Sequence, residues 1–69
     1  MTDDAKLLLN SLIEKYKSGQ RNFDMTDCFK FDNWEELVIE LQNADYVNYD
    51  DSHVAETITL TKSGIEFKD

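Results

Sequence analysis

Proline is missing from these 69 residues, glycine occurs twice, and cysteine and histidine occur once each. Without proline there is no rigid hinge to divide the chain. Gly19 and Gly64 stand alone, outside any glycine-rich phosphate loop, so nucleotide binding has no support. Cys28 has no second cysteine to pair with, which excludes an internally stapled scaffold and fits a reducing compartment. One thiol and one imidazole, Cys28 and His53, fall short of a four-ligand zinc site, and no motif orients them as a nucleophile and its base. Asp50, Asp51 and Glu56 lack the glycine and ligand spacing of a calcium loop. The reading is therefore of a non-enzyme with no catalytic residues, no metal and no cofactor.

Basic residues are also scarce, with 7 Lys and Arg against 15 Asp and Glu, for a formal charge of -8. No apolar run approaches the ~18 residues of a membrane span, and Met1-Thr2-Asp3-Asp4 is acidic where a signal peptide begins basic. A soluble, cytoplasmic protein is expected. What the chain does have is core-forming material: 41% hydrophobic and 12% aromatic residues, too many for a disordered acidic tail. One domain over residues 1–69 is expected, and a chain this short buries only roughly 60% of its unfolded surface.

The periodicity is clearest at the start. Ala5, Leu8, Leu9, Leu12, Ile13 and Tyr16 form one helical stripe, with Leu7 off it. Thr2 or Asp3 is placed to cap this helix, Lys15 and Lys17 suit its negative end, and Gly19 stops it. A short second helix is expected near Thr26 to Phe29. A third, capped by Asp32 or Asn33, follows with Trp34, Leu37, Val38 and Leu41 inward, ending near Asn43 to Asp45. Tyr46 to Tyr49, a polar turn Asp50-Asp51-Ser52-His53, and the alternating Val54 to Leu60 predict a β-hairpin. Thr61 then caps a last short turn that brings Ile65 and Phe67 to the core. The fold class is α+β, three helices followed by a two-stranded hairpin and a short C-terminal turn.

That order is the order of a winged helix. The wording Trp34-x-x-Leu37-Val38-x-x-Leu41, Asp45-Tyr46-Val47 and Leu60-Thr61-x-x-Gly64 resembles winged-helix proteins, and among them the small YjcQ-like family of bacteria and their phages. The resemblance covers roughly Asp32 to Phe67. Asp45 stands where that family commonly has glycine, and aspartate tolerates a left-handed backbone better than most residues. Winged helices ordinarily imply DNA binding through the third helix.

The charges oppose carrying that role over. From Asp24 to Glu56 there are ten carboxylates and a single base, Lys30. Duplex binding needs lysine and arginine to neutralise phosphates, and this half of the chain reverses that interaction. Glu35, Glu36, Ile39, Glu40 and Asn43 turn outward or to the flanks of the third helix. Tyr49, Asp50 and Asp51 extend the acidic surface onto the hairpin, with Tyr49 the aromatic expected to be most exposed. Ile39 among carboxylates suits an interface anchor ringed by charges that steer a basic partner. The expected function is an acidic interaction module or inhibitor, phage or mobile-element encoded, that binds a basic protein surface as a nucleic-acid mimic. Two alternatives stand beside it: a DNA-binding regulator using Lys15, Lys17 and Arg21, or a phage accessory subunit whose acidity serves solubility. A monomer or weak homodimer is expected.

Overall fold

The computed structural model describes residues 1–28, 30–51 and 56–68. Helix α1 (Asp3–Lys17) begins at Thr2, whose extended backbone and side-chain oxygen make it the cap: Oγ1 accepts the Ala5 N–H at 3.2 Å. Its stripe of Ala5, Leu8, Leu9, Leu12 and Ile13 is buried, and Leu7 faces solvent on the opposite side. A 3-10 turn (Met25–Cys28) follows, then helix α2 (Trp34–Asn43), strands β1 (Val47–Asp51) and β2 (Glu56–Leu60), and a single helical turn, α3 (Lys62–Ile65). The class is α+β, with a two-stranded antiparallel hairpin.

Both long helices end in the same way. After α1, the Gln20 N–H reaches the Lys15 carbonyl and the Gly19 N–H reaches that of Tyr16, with Gly19 at φ +111°. After α2, the Tyr46 N–H reaches Leu41 and the Asp45 N–H reaches Gln42, with Asp45 at φ +68°. These are paired Schellman closures, which need one left-handed residue. Glycine fills that place after α1, and after α2 aspartate holds it.

The hairpin pairs Val47 with Leu60 through to Asp51 with Glu56, so Asp50 and Asp51 belong to the strand rather than to the turn. The remaining turn residues, Ser52 and His53, together with Val54 and Ala55, lie outside the described residues. A third short arm joins the sheet from the loop after α1. Phe23 and Ile58 exchange both backbone hydrogen bonds, at 2.9 and 2.8 Å, placing Phe23 beside β2 on the side away from β1. Ile58 is fully buried between these neighbours.

The expected second helix is instead a tight 3-10 turn, and side-chain chemistry explains it. Asp24 accepts the Thr26 N–H and hydroxyl, while the Asp27 carboxylate reaches back to the Asp24 N–H at 3.0 Å. These bonds tie up the start of the segment, and its backbone bonds span three residues, from the Asp27 N–H to the Asp24 carbonyl and from the Phe31 N–H to that of Cys28, each at 3.1 Å. Cys28 closes the turn, fully buried; Phe29 lies outside the described residues.

Thr61 fastens the far end. Its N–H donates to the Tyr46 carbonyl at 3.0 Å, its hydroxyl donates to the Asp45 carbonyl at 2.6 Å, and its oxygen accepts the Gly64 N–H at 3.0 Å. A Cβ on Gly64 would sit 2.0 Å from the Tyr46 carbonyl oxygen, so only glycine lets α3 approach this closely. Phe67 then meets the edge of Tyr46 at 5.2 Å. Leu37, Val38 and Leu41 of α2 join the α1 stripe, Phe23, Cys28, Val47 and Ile58 in one core.

Candidate interaction surface

The core fixes which side of α2 is left over. With Leu37, Val38 and Leu41 inward, helical geometry puts Ile39 near the middle of the outer face. Its neighbours three and four positions away are Glu35, Glu36, Gln42 and Asn43. All four are exposed, and Ile39 itself is 45% exposed. No lysine or arginine occurs anywhere in α2. Gln42 was not among the residues singled out from the sequence. It belongs to the same face, a position the helical wheel supplies once the inward residues are fixed.

Asn33, rather than Asp32, occupies the cap position of α2, and its side chain makes no capping bond. Glu35 and Glu36 lie in the first turn, where a carboxylate is favoured by the helix dipole. Their helical position thus stabilises α2 while still directing them to solvent.

Glu40 has a different role from its neighbours. Its carboxylate accepts the Thr2 N–H at 2.6 Å and the Thr2 hydroxyl at 3.1 Å. Thr2 therefore caps α1 with its oxygen lone pair and donates its two protons to α2. Glu40 is a latch between the helices, reached across 38 residues of sequence. Beside it an open depression is lined by Met1, Thr2, Glu40, Asn43 and Ala44.

On the hairpin, Asp50 is exposed, as is Asn48, whereas Tyr49 is half-buried. Its hydroxyl oxygen is inside, and its ring meets Trp34 edge-on with centroids 6.5 Å apart. The exposure expected of Tyr49 is corrected by strand alternation: placing Asn48 and Asp50 outward turns Tyr49 toward α2.

The basic group is drawn into the fold. The Lys15 ammonium pairs with Asp27 at 2.9 Å, and the same carboxylate accepts the Gln20 side-chain amide at 3.2 Å. Burial pushes the Asp27 carboxyl up, yet the Asp24 N–H, Lys15 and Gln20 outweigh it and hold the group below its ordinary value. Arg21 donates to the Tyr16 carbonyl at 3.0 Å and lies over the Tyr16 ring, 4.1 Å from its centroid. Lys17 is exposed. Two of the three side chains a DNA-binding reading would use are thus engaged at the end of α1.

Chemistry is not supported at the lone thiol. Burial, reinforced by the nearby Asp27 carboxylate, pushes Cys28 up to about 11, so it is a protonated core group at neutral pH. His53 lies outside the described residues. Among the described residues, no group of three or more His, Cys, Asp or Glu is placed to hold a metal ion, and no helix is long and apolar enough to cross a membrane. The chain matches no family model, no curated protein and no solved structure.

Proposed function

We propose that this chain is a winged-helix interaction module whose α2 docks on a basic protein surface instead of reading DNA. The observation that carries the reading is the outer face of α2: a half-exposed isoleucine between carboxylates, on a helix with no base. In a winged helix this is the element that would enter the major groove. Here Glu35 and Glu36, with Asp50 on the hairpin, repel phosphates and attract lysine and arginine. Carboxylates then take the place of phosphates in a basic channel, and the module acts as an inhibitor or adaptor of the protein that owns it. The element order, helix, 3-10 turn, helix and hairpin, supports the winged-helix layout, as does the Phe23 arm on β2.

The regulator alternative requires free cations, and Lys15 and Arg21 already have partners within the fold. Fluorescence polarisation separates the two readings. Labelled random duplex and single-stranded DNA should show no saturable binding at low or near-physiological salt. A labelled Lys/Arg-rich peptide should bind at low salt and weaken as salt rises. Saturable, salt-sensitive DNA binding would overturn the proposal and direct mutagenesis to Lys15, Lys17 and Arg21.

A further inference from the structure

The outer face of α2 does not end at Ile39. One helical turn further on, about 6 Å along the axis, Asn43 forms one wall of the open depression between the start of α1 and the end of α2. Met1 and Ala44 supply carbon surface there, both exposed, with Met1 at 46%. An apolar knob and an adjoining hollow thus lie one turn apart. Glu35 and Glu36 flank the knob, Glu40 lines the hollow, and the sequence from Phe31 to Thr61 holds no lysine or arginine.

We propose that this pair of features accepts a basic amphipathic helix of the partner protein, through two aliphatic side chains spaced i and i+4 and flanked by lysine or arginine. The inference rests on the reading of α2 as an interaction surface and specifies what it binds. Spacing supports a helix, because anchors at i and i+4 also stand one turn apart and can meet Ile39 and the hollow together. Charge complementarity supports basic flanks, since α2 offers Glu35, Glu36 and Glu40 and neither lysine nor arginine. A second copy of this chain is disfavoured as occupant, since it would bring together two acidic faces that carry neither lysine nor arginine.

The test uses the full chain and two synthetic helical peptides of equal positive charge, one with leucine at i and i+4, the other with serine there. The leucine peptide should bind at least about tenfold more tightly, since each leucine removes apolar area from water. Ala44→Trp, which fills the hollow on an exposed position, should remove most of that advantage and leave the serine peptide's weaker binding unchanged. Ile39→Ser should likewise remove most of the leucine peptide's advantage, with circular dichroism confirming that both variants fold. Equal affinity for the two peptides, or an advantage untouched by Ala44→Trp, would overturn the helix proposal while leaving α2 as a charge-steered surface. Failure of both peptides to bind at low salt would overturn the surface reading as well.

Discussion

The end of α1 and the outer face of α2 carry opposite charges and use them oppositely. At the end of α1, Lys15 pairs with the Asp27 carboxylate and fastens the 3-10 turn to the helix, while Arg21 lies along the surface of the helix end against the Tyr16 carbonyl and ring. On α2, Glu35, Glu36 and Asn43 surround a half-exposed isoleucine and face solvent. Charge that is satisfied within the fold stabilises it; charge left outward is available for steering and pairing with another molecule. Composition alone would assign both regions simply to solubility. Their geometry separates a structural role at the end of α1 from the interaction role proposed for α2, and under that proposal substitutions in the two regions should have effects that do not overlap.

The largest effect expected is on binding. Reversing Glu35 and Glu36 together to lysine should weaken capture of a Lys/Arg-rich peptide by roughly 100-fold at low salt. Urea unfolding should show little change beyond the loss of favourable dipole placement, about 0.5 kcal/mol per residue. The mirror-image experiment is at Asp27. Asp27→Ala removes the acceptor for the Asp24 N–H, Lys15 and Gln20, and should cost about 2 kcal/mol of stability while leaving peptide affinity unchanged.

Asp27→Asn adds a pH signature. A carboxyl held below its unfolded value contributes stability that is fully present above the unfolded pKa, near 4, and is lost as pH falls through the lower folded value. The gap in unfolding free energy between the parent chain and Asp27→Asn should therefore be widest near neutral pH and close below about pH 4. A gap that persists to pH 2 would mean that the ionised carboxylate is not what the network needs.

Glu40 lies between the two regions, and its substitution tests the boundary. Glu40→Gln retains an acceptor but loses the charge, so the Thr2 contact should weaken by about 1 kcal/mol, with a few-fold loss of basic-peptide affinity. The smallest effect concerns backbone alone. Asp45→Gly relieves a left-handed residue at φ +68° and should stabilise the chain by about 0.5–1 kcal/mol, with Asp45→Asn as the control for charge.

Much of the fold was legible because strong periodicity and cap chemistry agreed. The stripe from Ala5 to Ile13, the Thr2 cap and Gly19 mark α1 at both ends, and Thr61 three residues before Gly64 marks α3. The Phe23 arm was not legible, since a single residue in a ladder has no period to detect. The 3-10 turn resembles a helix in sequence because Asp24 and Thr26 are ordinary turn and cap residues, and the Asp27 carboxylate's bond back to the Asp24 N–H leaves no periodic signal. Asp50 and Asp51 read as a turn because aspartate is a turn former, yet the register draws them into the strand.

At the candidate site, the outward position of Glu35, Glu36, Ile39 and Asn43 followed from the helical wheel. The Glu40 latch depends on a contact 38 residues distant, and the hollow beside Ala44 exists only where two helix ends meet. Neither leaves a local pattern. Tyr49 faces inward for the same reason that Asp50 and Asp51 join the strand: the strand phase, set by pairing with β2, decides its side.

The most direct measurement is a ¹⁵N–¹H correlation spectrum of the intact protein titrated with a Lys/Arg-rich peptide at low salt. The largest amide shifts should fall on Glu35, Glu36, Ile39, Gln42 and Asn43, with Lys15 to Arg21 unmoved. Shifts spread evenly over all acidic residues, or centred away from α2, would contradict the assignment of this face as the interaction surface.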